Sequence, residues 1–95
     1  FRSKLRFKYG DKIGELYMFE KTIFILEDVK NKTPTIVKAS INDNYSITKT
    51  EKSTKEQLDD YVSKNLDSSK VLIIKGSLFD SLKKLYGKDI EIILD

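Results

Sequence analysis

Four cations occupy alternate positions at the start of the chain: Arg2, Lys4, Arg6 and Lys8, here called the basic row. In an extended strand, residues two apart share a face and repeat every ~6.7 Å. Phosphates recur at about 3.4 Å along each strand of a duplex, so such a row could meet alternate phosphates. Lys12 follows a turn and could extend the set. The spacing therefore predicts a surface for an anionic partner, either nucleic acid or an anionic membrane surface.

The same residues fit a second interpretation. Leu5, Phe7 and Tyr9 alternate with the cations, so the apolar side of this strand is expected to be core and the charged side to be solvated. A terminal strand often lies at a sheet edge, and charged side chains, particularly Lys, protect edges from aggregation. No helix-turn-helix, zinc module or aromatic RNA-binding motif accompanies the row. A docking surface and a protected edge both remain open at this point.

The remaining chemistry-bearing residues point away from catalysis. The sequence contains neither His nor Cys, which removes the commonest general base, the commonest metal ligand and every thiol. The turn Lys75-Gly76-Ser77 lacks the glycines of a phosphate loop, and Asp59 and Asp60 are adjacent on a predicted helix and so point in different directions. We therefore predict a non-enzyme with no catalytic residue, no metal site and no cofactor.

Charge and length bound the domain that must position these residues. The net charge of +3 is uneven, since residues 1–50 hold ten Lys or Arg against six Asp or Glu, whereas residues 51–95 hold eight against nine. Ninety-five residues form one small domain, 1–95. Because the chain opens on Phe and not on Met, we expect it to be excised from a longer or processed protein.

The first half of the chain has the pattern of an antiparallel meander of four or five strands. Residues 1–9 alternate, and Gly10-Asp11 is a turn signal. Residues 15–29 are rich in aromatic and β-branched side chains, which predicts one bent strand or two strands that break near Glu20-Lys21. Residues 35–41 and 45–50 are predicted as further strands, joined by a turn at 42–44.

The second half changes to helical spacing. Ser53 and Glu56 have the spacing of a capping box, and apolar residues then recur at helical intervals to Leu66. Residues 71–74 are a continuous apolar run and predict a covered strand. A second helix is predicted from Ser77 to Gly87, and a last strand from 89 to 95.

These elements predict an α+β domain: a meander followed by helix, strand, helix and strand, in one mixed sheet with two helices packed on one face. The other sheet face is then left to solvent or to a partner. The first functional hypothesis is a non-catalytic interaction domain that meets a protein partner through an exposed sheet face or edge. The alternative is a nucleic-acid-binding domain in which the basic row, Lys12 included, contacts phosphates without regard to sequence.

Overall fold

A computed structural model describes residues 4–19, 21–64 and 76–93. The elements in chain order are β1 (Lys4–Tyr9), β2 (Lys12–Phe19), β3 (Thr22–Leu26), β4 (Ile36–Ile41), β5 (Ile47–Ser53), α1 (Lys55–Lys64), α2 (Gly76–Tyr86) and β6 (Glu91–Ile93). The predicted α+β class is confirmed, with five meander strands at the start and both described helices in the second half. Of the two alternatives left open for residues 15–29, the structure shows two strands, which end at Phe19 and begin again at Thr22.

The six strands form one sheet in the order β5-β4-β3-β2-β1-β6. Every pairing among the described strands is antiparallel. The parallel pair of the predicted mixed sheet depended on residues 71–74, which lie outside the described residues. β1 lies between β2 and β6, so the interpretation that placed this strand at a sheet edge is wrong. β6 lies at this edge of the described sheet instead, because it pairs with β1 through Arg6–Ile93 and Lys8–Glu91.

One face of the sheet, here called the α2 face, packs against α2. Phe7 of β1, Leu16 of β2 and Ile23 of β3 are fully buried there, together with Leu78 and Leu82 of the helix. Leu78 and Leu82 are four residues apart, so both project from one side of α2. The alternation in β1 thus points Phe7 inward, as the sequence predicts.

The opposite face, here called the α1 face, packs against α1. Phe19 and Phe24 meet Leu58 and Tyr61 of that helix in a separate cluster. The centroids of the Phe24 and Tyr61 rings are 4.9 Å apart. The two helices therefore lie on opposite faces, and the prediction that both pack on one face is wrong.

The reason for this difference is visible in β3. Its run Ile23-Phe24-Ile25 is fully buried, and neighbouring side chains of a strand point to opposite faces. A strand that is apolar on both sides needs cover on both sides, which one helix layer cannot supply.

The start of α1 differs from the predicted capping box by one residue. Thr54 accepts a hydrogen bond at Oγ1 from the amide of Gln57 at 3.2 Å, and the Thr54 amide donates to Gln57 Oε1 at 3.4 Å. The reciprocal bonds are those of a capping box, in Thr54 and Gln57 and not in Ser53 and Glu56. The shift follows from β5, which continues through Ser53.

Candidate functional site

Arg6 and Lys8 of the basic row lie within the sheet on the α1 face, and Arg6 is the better defined of the two. Its side chain is half exposed and forms an ion pair with Glu15, with Nε 3.4 Å from Oε2. Glu15 stands directly opposite Arg6 on β2 and is only 8% exposed. A carboxylate removed from water needs a charge or hydrogen-bond partner, so Arg6 is engaged inside the domain.

Lys8 is the other member of the row whose side chain the structure describes. Lys8 is exposed and lies opposite Glu91 of β6. Lys4 belongs to β1 and pairs in register with Tyr17, whereas Arg2 lies outside the described residues. Each of Arg6 and Lys8 thus has a carboxylate at the facing position of a neighbouring strand, and opposite charges at such positions attract.

Lys12 does not continue the row. It pairs with Tyr9 across the first hairpin, and directly paired residues point to the same face. Tyr9 packs against the buried cluster on the α2 face, so the register assigns Lys12 to that face as well. Arg6 and Lys8 lie on the other face of the sheet. The structure therefore does not bring the five predicted site residues together on one surface.

A groove of about 630 Å³ opens between α1 and the loop that joins β3 to β4. Tyr17, Ile36 and Leu58 contribute to its apolar wall, and the exposed residues Lys32 and Lys55 also line it. Its volume is in the range of small-molecule sites, which also place a few polar groups at defined positions. Among the described residues, no buried side-chain nitrogen or oxygen lacks a hydrogen-bond partner, so none of the buried polar atoms here calls for a ligand.

Two tyrosines, Tyr9 at the end of β1 and Tyr86 at the end of α2, pack against each other. The rings of Tyr9 and Tyr86 lie 4.9 Å apart, and the Tyr9 hydroxyl donates a hydrogen bond to the carbonyl oxygen of Glu27. Burial, and then a hydrogen bond and the charge of Glu27, raise the pKa of Tyr86 far above its usual value. Burial and the same carboxylate also raise the pKa of Tyr9. Both phenols are therefore kept neutral, which suits an anchor for the end of α2 and not a nucleophile.

The outer strand β5 offers a different kind of site. The amide of Ile41 donates to Lys21, and that of Glu27 donates to Thr35, so the odd-numbered residues of β4 bond to β3. By the alternation of an antiparallel ladder, the even-numbered residues of β4 then bond to β5. In the observed register those partners are Lys49, Glu51 and Ser53.

It follows that the main-chain groups of Thr50 and Lys52 point away from β4. We call this outward side of the strand the β5 edge. All five side chains from 48 to 52 are exposed, and none of the described strands pairs with this edge. At the start of β5 the ladder is irregular, because Ser40 faces Lys49 while Ile41 faces Ile47, which leaves Thr48 as a bulged residue. The bulge turns Ile47 to the buried cluster on the α2 face, whereas the regular alternation of a strand would put Ile47 and Lys49 on the same face.

The residues of the β5 edge were missed by the sequence interpretation, which ended this strand at Thr50. The signal that could have found them is the run Thr48-Lys49-Thr50-Glu51-Lys52, which is polar on both faces. A strand with no apolar face has nothing to bury, so it belongs at the margin of a sheet.

The other candidate sites predicted from the sequence have less structural support. The predicted turn at 75–77 falls partly outside the described residues, and α2 begins at Gly76. Within 4–19, 21–64 and 76–93, no three acidic side chains converge on a possible metal position. None of the helices in these ranges has the length and apolar character needed to cross a bilayer. Comparisons with protein-family models, curated proteins and solved structures gave no match.

Proposed function

We propose that this chain is a non-catalytic protein-binding domain whose β5 edge receives an extended strand from a partner. The observation that carries the proposal is the outward main chain of Thr50 and Lys52 on an exposed outer strand. In strand addition, main-chain hydrogen bonds supply the affinity, and the alternate side chains of the added strand supply the specificity.

The second outer strand is a weaker candidate. β6 has three residues, whereas β5 has seven, so β5 can form more main-chain bonds with a partner. The sheet faces are also less suited to the role that the sequence interpretation gave them, because a helix packs against each face. The edge is therefore the part of the original hypothesis that the geometry favours.

A proline variant tests the proposal directly. Thr50→Pro removes an amide that points away from β4, and proline is tolerated on the solvent side of an edge strand. Glu51→Pro, its matched control, removes an amide that bonds to Lys38 across the ladder. We expect Thr50→Pro to fold but not to accept a strand, and Glu51→Pro to lose stability.

The partner probe is a displayed library of short random peptides, selected on the wild-type domain. We expect the enriched peptides to bind wild type and to lose binding to Thr50→Pro. Amide exchange followed by NMR should show that a bound peptide protects Thr50 and Lys52, which we expect to exchange fast in the monomeric domain without peptide. Selected peptides that bind Thr50→Pro equally well, or a library that yields none, would overturn the proposal.

A further inference from the structure

We propose that the strand received at the β5 edge is β5 of a second copy of this chain, paired antiparallel and centred on Thr50. This inference rests on the proposed function, since it names the partner of the same edge. It would join two six-stranded sheets into one continuous sheet of twice the width.

Symmetry limits how two such edges can meet. An antiparallel pair of identical strands is related by a two-fold axis perpendicular to the sheet, so each face of one sheet continues as the same face of the other. A residue whose main chain points outward must pair with another outward residue, and an inward residue with an inward one. Two residues that face each other must therefore be an even number of positions apart in the sequence, so the two-fold axis passes between two copies of the same residue. We call this residue the centre of the pairing. The candidate centres are residues 49, 50, 51 and 52 of the regular ladder.

The charges along the strand select one of these centres. A centre at Lys49 or Lys52 places two ammonium groups directly opposite each other, and a centre at Glu51 does the same with two carboxylates. Like charges at directly facing positions destabilise a strand pair. These three registers are therefore disfavoured.

A centre at Thr50 places opposite charges, and not like charges, at facing positions. It places Lys49 of each copy against Glu51 of the other, so the two-fold axis generates two attractive pairs on the α1 face. Thr50 then faces its own symmetry mate, a pairing in which both amides and both carbonyls bond across the axis. Lys52 faces Thr48, an uncharged residue. The edge is thus complementary to itself in one register.

The space beside the edge is compatible with this arrangement. Lys49 and Glu51 are exposed, so α1 does not cover the positions where the charge pairs form. On the α2 face, the described part of α2 borders the start of β5 through Ser81, whose hydroxyl accepts the amide of Ile47 at 3.1 Å. Leu85 lies on the same border and is 45% exposed, which gives the edge an apolar flank. A pairing of short polar strands with little apolar area is expected to be a weak dimer.

Charge exchange between Lys49 and Glu51 tests the register. Lys49→Glu places carboxylates opposite each other in both pairs, and Glu51→Lys places ammonium groups there. We expect each single variant to dimerise about tenfold more weakly than wild type or worse. The double variant Lys49→Glu/Glu51→Lys restores both attractive pairs and should dimerise like wild type. An equimolar mixture of the two single variants should form a heterodimer, because one chain then carries only acids at these positions and the other only bases.

The matched control is Lys52→Glu, which changes the net charge as Lys49→Glu does but faces Thr48 in the proposed register. It should leave the dimer unchanged. Masses are read by analytical ultracentrifugation over a concentration series, with circular dichroism confirming that each variant is folded.

The outcomes separate the two proposals. Peptides selected on wild type should still bind Lys49→Glu, since strand addition needs the main chain and not this charge. A wild type that stays monomeric throughout the series overturns the dimer while the peptide result stands. A dimer that ignores the charge exchanges, or that Lys52→Glu weakens equally, overturns the Thr50-centred register. Failure of both dimer and peptide binding overturns the edge itself.

Discussion

β1 and β5 are both strands rich in charge, yet they occupy opposite kinds of position. β1 carries the more conspicuous basic pattern, but it lies inside the sheet, and Arg6 is held by the buried Glu15. β5 has a less conspicuous sequence, but its outer main chain faces away from every described strand. Strand position, more than charge pattern, therefore decides whether a strand is available to a partner. Five predictions test this contrast.

The largest expected effect comes from the core side of β1. Phe7 is fully buried, so Phe7→Ala should lower the free energy of unfolding by about 3–5 kcal/mol. Thr50→Ala on β5 should change it by less than about 0.5 kcal/mol, because its side chain is exposed. Urea denaturation measures both. Equal losses would contradict the assignment of β1 to the core and β5 to the edge.

Gly14 tests how tightly β1 packs against β2. It stands opposite Phe7, and a methyl group added at this position would overlap the Phe7 ring. We expect Gly14→Ala to lower the free energy of unfolding by about 1–3 kcal/mol. In a Phe7→Leu background the same change should cost less, because the smaller side chain leaves room. Additive losses in that double variant would show that the ring does not fill this space.

Arg6 and Lys8 compare two members of the basic row. Arg6→Met removes the ion pair between Arg6 and the buried Glu15, so we expect a loss of about 1 kcal/mol in the free energy of unfolding, given that Arg6 is itself half exposed. Lys8→Met should change the free energy of unfolding by less than about 0.5 kcal/mol. If Glu15→Gln removes the difference between the two variants, the ion pair is its source. A larger loss for Lys8→Met would contradict this arrangement.

The tyrosine pair behind β1 predicts a dependence on alkaline pH. Tyr86 has a raised pKa in the folded state, so its contribution is present in full below its unfolded value of 10.0 and is lost as the pH rises above it. We expect the free energy of unfolding to fall by up to about 1 kcal/mol by pH ~11, after allowance for partial exposure. Tyr86→Phe should flatten that part of the profile, whereas Thr50→Ala should not. Chemical denaturation at several pH values measures the slope.

The smallest effect is expected for binding of the basic row to nucleic acid. If Arg6 stays with Glu15 and Lys12 faces the other side, three cations remain, and log K should fall against log salt with a slope no steeper than about −2.7. A fluorescence titration with a duplex oligonucleotide measures it. A slope near −3.6 corresponds to four phosphate contacts and would show that Arg6 leaves Glu15 to bind a phosphate. That result would support the nucleic-acid hypothesis.

The sequence was informative wherever one residue pattern determines one local structure. The alternation of β1 identified Phe7 as core, and the turn residues after Ile41 were found as predicted, with Asn42 Oδ1 accepting the amides of Asn44 and Ser46. These features depend on neighbours in the chain, so a local pattern contains them.

What the sequence could not supply was the order of the strands. β6 reaches β1 across most of the chain, and nothing within residues 1–9 records that a later strand will cover them. The pairing of Arg6 with Glu15 depends on the hairpin register, and the β5 edge depends on no described strand lying beyond it. The same limitation placed both helices on one face, because the apolar run of β3 was not used as a sign that two layers were needed.

The pairing of β1 with β6 has a consequence for the order in which the molecule is built. A ribosome delivers β1 to β5 before it delivers residue 91, and domains begin to fold from the end that emerges first. Until β6 arrives, the side of β1 that will receive it is an open edge of the growing meander. Lys4, Arg6 and Lys8 then stand on a temporarily exposed strand, where charge discourages pairing with neighbouring nascent chains. We therefore expect the charged side chains of β1 to protect this edge from association during synthesis, before β6 pairs with it.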